Sequence, residues 1–120
     1  MSLLSRLFRR RPAAALSWID IDALQFRLTA GAPVLLIDVR GTDEFTAPPG
    51  HLPGAINIPL AELPARIPEV AARAAPVVLV CKTDRRSARA AETLLAAGLR
   101  EVTVLRGGTD GWHQAGLPLD

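Results

Sequence analysis

The chain of 120 residues holds a single cysteine, Cys81, no tyrosine, and aromatic residues at only 4%. One cysteine cannot close an intrachain disulfide, which excludes the stapled class of small secreted domains and leaves a free thiol suited to a reducing compartment. So few aromatics offer no stacking platform for bases or sugars, which disfavours single-stranded nucleic-acid binding. No apolar run approaches the ~18 residues of a membrane span. Leu3, Leu4, Leu7 and Phe8 are too few and too interrupted for a secretory h-region, so a cytoplasmic location is expected. An excess of one charge is missing as well. The net charge is +2, but Arg6, Arg9, Arg10 and Arg11 cluster at the N-terminus, and the remainder carries ten basic and twelve acidic residues. The body of the chain therefore has no general polyanion-binding character.

What is present is an ordinary globular balance, 49% hydrophobic and 22% charged, without repeats or low-complexity tracts, in a length that suits one domain. Ser17–Ile19 reads as a short strand. A helix follows, with Asp20 or Asp22 as N-cap, an approximate capping box from Asp22 and Gln25, and an apolar stripe of Ile21, Leu24 and Leu28 ending at Gly31. Val34–Val39 is a nearly continuous apolar run, the pattern of a strand covered on both faces. It ends in Asp38, Val39 and Arg40. Asp38 needs a donor from backbone or arginine, because a carboxylate near the end of a buried strand cannot stay unpaired. Arg40 is expected to pair with Glu44 in a helical turn over Thr42–Phe45. Gly50–Gly54 is turn-rich, with His51 as a hydrogen-bonding brace rather than a general base, and Ala55–Pro59 is a short strand closed by proline. Leu60–Arg73 should form two short helical pieces, opened by Pro64 and Pro68. Val102–Leu105 makes a last strand before Gly107, Gly108 and a terminal helical turn holding Trp112. Alternating strands and helices in so short a chain point to an α/β sandwich around a mainly parallel sheet of about five strands, with right-handed crossovers placing helices on both faces.

The stretch from Pro76 to Gly98 carries the chemistry. The apolar run Val77–Val80 delivers Cys81 into a polar turn of Lys82, Thr83, Asp84, Arg85 and Arg86, after which Ser87 is placed to cap a helix with Ala88, Ala91 and Leu95 on one face and Gly98 at its end. A thiol at the C-terminal end of a buried strand, beside a helix N-terminus and several cations, has the surroundings that favour thiolate. If Lys82–Arg86 curl around the sulfur, successive N–H groups form an anion-binding nest. No histidine base is then required, and neither His51 nor His113 stands in a recognisable cysteine-hydrolase context. Gly107 and Gly108 fit either a phosphate-cradling turn or tight strand-to-helix packing.

Four segments, in order and at domain-wide spacing, resemble a single-domain rhodanese, a sulfurtransferase, over Ser17–Asp120. They are Leu36–Arg40 with Glu44 and Phe45; Gly50–Pro59; Cys81–Ser87; and Leu105–Gly108 followed by Trp112, Gly116 and Pro118. The resemblance implies a rhodanese-like three-layer sandwich and a ping-pong cycle without metal or cofactor. Cys81 takes sulfane sulfur from thiosulfate or a persulfide donor and passes it to a thiophilic acceptor, a thiol in the cell, or to a sulfur-relay protein. Lys82, Thr83, Asp84, Arg85, Arg86 and Ser87 would form the substrate- and persulfide-stabilising loop, with Asp38 and Arg40 in support. Asp84 stands where family loops frequently have glycine, and it can cap a loop amide, pair with Arg85 or Arg86, or repel a dianionic donor. Two other readings fit the same residues. One is a sulfur carrier or interaction module without turnover. The other is a phosphatase or arsenate reductase of this fold, against which the spacing speaks: those enzymes resemble a Cys-x5-Arg pattern, whereas Arg86 follows Cys81 after four residues.

Residues 1–16 fall outside the resemblance as a basic tail and linker. Leu3, Leu4, Leu7 and Phe8 share one helical face over residues 2–11, with Arg6 and Arg9 opposite and Pro12 as the stop. Ten residues lie below the ~12–15 at which isolated helices become marginal, so a frayed or domain-packed segment is expected rather than a membrane-surface anchor. In liposome co-sedimentation the full chain and a chain starting at Ala13 should show the same negligible binding. Selective pelleting of the full chain would reveal an anchor.

Overall fold

A computed structural model of the chain describes residues 16–120, and the basic tail of residues 1–15 lies outside them. Five strands, β1 (Ser17–Ile19), β2 (Leu35–Asp38), β3 (Ile56–Asn57), β4 (Val77–Val80) and β5 (Val102–Leu105), form one sheet in the order β1-β5-β4-β2-β3. Every neighbouring pair is parallel. The helices are α1 (Ile21–Thr29), α2 (Thr42–Thr46), α3 (Leu63–Ala72), α4 (Arg85–Ala96) and α5 (Gly108–Gln114), with a 3-10 turn at Leu60–Glu62. This is the expected α/β architecture of a five-stranded parallel sheet with helices on both faces. Among the described residues no helix is long and apolar enough to cross a membrane.

Parallel strands covered on both sides must be apolar on both sides, and the alternation along β2 and β4 sorts the core into two halves. Leu35, Ile37, Val77, Leu79 and then Cys81 pack with Leu63 and Val70 of α3 and Ala90, Ala91 and Leu94 of α4. Leu36, Val78 and Val80 face the other way, onto Leu24 of α1 and Trp112 of α5. The period of two that makes β4 a strand thus also decides that the cysteine following it points toward α4.

Several local expectations change. The N-cap of α1 is Asp20, without a side-chain capping bond, so the Asp22–Gln25 box does not form; the Asp20 carboxylate instead lies 3.5 Å from Arg106. Pro68 does not open a second helical piece but sits inside a single α3, with Pro64 in its first turn. Burial of Leu63 and Val70 on the same core holds the helix together across the proline, although Pro68 supplies no N–H to the carbonyl one turn earlier. In α4 the cap is Asp84 rather than Ser87, and the buried stripe is Ser87, Ala90, Ala91 and Leu94 instead of Ala88, Ala91 and Leu95. Starting the helix three residues earlier turns Ser87 inward.

Arg40 does not pair with Glu44. Its guanidinium and its own backbone N–H donate to the Asp38 carboxylate at 2.8–3.1 Å, and Nη2 also donates to the Gly50 carbonyl at 3.0 Å. Asp38 is 0% and Arg40 6% exposed, so this is a buried ion pair with its lone pairs filled. Asn57 donates to the carbonyls of both residues, at 3.0 and 2.9 Å. The bracket ties the C-terminal end of β2 to the Gly50 turn. His51 is the brace expected there: its ring stacks on Phe45 with centroids 3.7 Å apart, Nδ1 lies 2.9 Å from the Phe45 carbonyl, and its backbone exchanges hydrogen bonds with Asp120. A Cβ on Gly50, whose φ is +108°, would collide with the Asp120 carbonyl.

Removing one half of a buried pair strands the other charge. Asp38→Ala should therefore cost about 3–5 kcal/mol in urea unfolding, and Asp38→Ala combined with Arg40→Leu should recover part of that loss. A single variant as stable as the parent would show that the bracket is dispensable.

Candidate functional site

Cys81 emerges from the C-terminal end of β4 and is 1% exposed. Its Sγ accepts the Ser87 N–H at 3.4 Å and lies 3.3 Å from Ser87 Oγ. Ser87 is the third residue of α4, so the thiol sits at a helix N-terminus, where amides that the helix leaves unpaired are available as donors. Only Lys82, Thr83 and Asp84 separate the cysteine from the helix. The loop is tighter than the expected five-residue curl, because Arg85 and Arg86 already belong to the helical turn.

Three straps hold this loop to the next one. Thr109 and Asp110 donate their N–H groups to the carbonyls of Cys81 and Lys82 at 2.9 and 3.0 Å. In return Asp84 Oδ2 accepts the Gly107 N–H at 3.2 Å. Asp84 thus pairs with neither Arg85 nor Arg86; it secures the β5–α5 turn. Gly108, at φ +58°, is pressed against the loop so closely that a Cβ would run into the carbonyls of Cys81, Lys82 and Thr83. Tight packing explains Gly108, and the left-handed φ of +84° explains Gly107. In trans peptides the N–H points opposite to the carbonyl, so these straps turn the amides of Lys82 and Thr83 away from α5.

The cations near the thiol are mostly engaged. Arg86 makes a bidentate pair with Glu44, Nη1 and Nη2 donating at 2.6 and 3.0 Å. Lys82 Nζ donates to Asp110 at 2.8 Å on the surface. Arg85 and Arg89 are exposed and make no ion pair among the described residues. The Arg86 hydrogen bonds hold the Glu44 carboxyl down to about 2, helped by the Gly41 N–H and by the charges of Arg86 and Arg40. The same bonds raise Arg86 further above its ordinary range. Beside the loop opens a cleft of about 260 Å³ between α2 and α5, lined by Arg40, Glu44, Pro48, Pro49, Lys82 and Asp110. Among the described residues no three His, Cys, Asp or Glu side chains cluster as metal ligands would.

Of the residues singled out in the sequence, Cys81 through Ser87 form one loop and helix start. Asp38 and Arg40 act one step removed, by fixing the chain that carries Glu44. His113 is exposed on α5. Glu44, Thr109 and Asp110 as partners of the cysteine loop were not visible from local spacing. The signal was topological: β5 pairs with β4 in parallel, so the turns after both strands emerge side by side.

Residues 20–115 match the family profile described as Rhodanese-like domain. The chain is similar to a sulfurtransferase of Allochromatium vinosum, 35% identical over 101 residues that cover 84% of this chain and 92% of that one. Among solved structures, a protein of unknown function, possible tyrosine phosphatase, from Rhodopseudomonas palustris superposes with a TM-score of 0.81 at 25% identity, covering 88% of this chain and 85% of that one. A thiosulfate sulfurtransferase from Pseudomonas aeruginosa gives 0.74 at 32% identity, over 98% of this chain and 21% of that one.

The Glu44–Arg86 pair has a pH signature. A carboxyl whose folded value lies below its ordinary 4.5 contributes stability fully above pH 4.5 and loses it as the pH falls through about 2. Both side chains are more than a third exposed, so solvent screens the contribution. Thermal unfolding midpoints measured across that window should fall more steeply for the parent than for Glu44→Gln. Equal slopes would show that the pair adds nothing to stability.

Proposed function

This chain belongs to the rhodanese-like domain family, and on that premise we propose that it is a sulfurtransferase working through a persulfide on Cys81. The observation that carries the reading is the placement of the one thiol: it closes a buried strand, accepts a helix N-terminal amide, and is ringed by a loop of three residues. In the first half-reaction the Cys81 thiolate attacks the outer sulfur of a sulfane donor. The donor's S–S bond breaks, its electron pair departs with sulfite or a thiolate, and Cys81 holds one extra sulfur. In the second, an acceptor nucleophile attacks that outer sulfur and the Cys81 thiolate leaves.

The chain's own groups match the charges this cycle creates. The amides of Lys82 and Thr83, turned away from α5, together with the Ser87 N–H, are donors for an anionic sulfur. No side chain needs to serve as base, since the nucleophile reacts as thiolate. Sulfur rather than phosphate is favoured by the loop length. With Arg86 after four intervening residues and held by Glu44, the loop is short for cradling a tetrahedral oxyanion, whereas one sulfur atom adds little volume.

Mass spectrometry of the reduced protein is the direct test. After incubation with thiosulfate or an alkyl persulfide the parent should gain the mass of one sulfur, cyanide should remove it, and Cys81→Ser should gain nothing. An adduct that forms without measurable turnover would favour a sulfur carrier. No adduct from any sulfane donor, with hydrolysis of an aryl phosphate that Cys81→Ser abolishes, would replace the reading with a phosphatase.

A further inference from the structure

Both permanently charged cations that line the cleft beside the Cys81 loop already face a carboxylate, and His113 of α5 completes the lining. Arg40 is buried on Asp38, and Lys82 lies against Asp110. Arg86, at the loop's end, is gripped by both oxygens of Glu44. Glu44 of α2 and Asp110 of α5 themselves line the cleft, and Ala47, Pro48 and Pro49 supply its apolar lining. A dianion such as thiosulfate entering here would leave water, meet two carboxylates, and find the counter-charges of the cleft occupied, since Arg85 and Arg89, without an ion pair among the described residues, do not line it. A small donor with an aliphatic stem and balanced charge meets the opposite situation: apolar lining for the stem, and plus–minus pairs for its own ammonium and carboxylate.

Building on the sulfurtransferase reading, we infer that Glu44 and Asp110 determine donor specificity, by neutralising Arg86 and Lys82 so that the cleft selects a low-molecular-weight, zwitterionic or neutral alkyl persulfide over thiosulfate. The chemistry balances without a further reactant. The Cys81 thiolate attacks the terminal sulfur of R–S–SH, the S–S bond breaks, the R–S fragment departs with the electron pair and takes up the proton given up by the transferred sulfur, and it leaves as a free thiol while Cys81 holds an anionic persulfide. The two carboxylates touch no reacting atom; they set the field through which the donor arrives.

The test compares cysteine persulfide, glutathione persulfide and thiosulfate, which carry increasing negative charge, as donors to the parent, Asp110→Asn and Glu44→Gln. Removing one carboxylate beside a dianion is worth about fivefold in kcat/KM at effective distances of ~7 Å in screened, water-rich surroundings. Thiosulfate kcat/KM relative to cysteine persulfide should thus rise about fivefold in Asp110→Asn, with glutathione persulfide in between, and this gain should shrink as salt is added. Glu44→Gln should shift the same ratio in the same direction. If either variant changes all three donors by one common factor, or lowers thiosulfate relative to cysteine persulfide, the carboxylates have a structural role only and the inference falls. The mass of the Cys81 adduct separates the two levels of failure. An adduct present while the donor ratio stays constant overturns the specificity assignment alone. Its absence with every donor overturns the sulfurtransferase reading beneath it.

Discussion

The exchange of hydrogen bonds between two neighbouring turns underlies the rest of this structure. The turn after β4 carries Cys81, and the turn after β5 carries Gly107–Asp110. Because the strands are parallel and paired, the turns emerge at the same edge of the sheet, where backbone groups of each would otherwise stand without partners. Thr109 and Asp110 give their amides to the cysteine loop, and Asp84 accepts the Gly107 amide in return. Neither turn has the shape it needs alone. Together they fix the loop's carbonyls on one side, which leaves its amides on the other.

A second layer of fixation works at a distance from the sulfur. The Asp38–Arg40 bracket, Asn57, the Phe45–His51 stack and the backbone exchange between His51 and Asp120 make no hydrogen bond to the Cys81 loop, although Arg40 lines the cleft beside it. Their effect is to hold α2, a helix of one turn that could not persist by itself, in one place. That placement brings Glu44 to Arg86, 42 positions later in the chain. The charge state of the cysteine's surroundings is thus governed from the β2 side of the sheet, through an ion pair that spans two elements.

The fold was legible because its signals are local and strong. Val34–Val39 and Val77–Val80 read as doubly covered strands, and the glycine at 98 ends α4 with a positive φ of +96°, as its position suggested. Helix registers were less legible. Asp84 and Ser87 are both acceptable caps; the helix starts after Asp84, whose side chain makes no capping bond and instead accepts the Gly107 N–H, 23 residues away. The two prolines in Leu60–Arg73 looked like two helix starts, since nothing local announced that burial of Leu63 and Val70 would carry one helix through Pro68. At the site, Cys81 and its loop stood out by position. The pairing of the arginines did not: i,i+4 spacing favours Arg40 with Glu44, while burial at the end of β2 hands Arg40 to Asp38 and leaves Glu44 for Arg86.

Gly108 bears on how such a site changes over generations. With no room for a Cβ between it and three loop carbonyls, the spacing between the two turns is set by backbone contact, so the loop behaves as a part of fixed length. Adding one residue between Cys81 and Arg86 would have to be absorbed either by turning α4 about 100° on its axis or by breaking the straps to α5. Apart from Asp84, whose carboxylate is one of the straps, side-chain identity within the loop is less constrained by this arrangement than loop length is. A longer loop around Cys81 is thus out of reach of point substitution, because it needs an inserted residue and a re-docked α4 or α5.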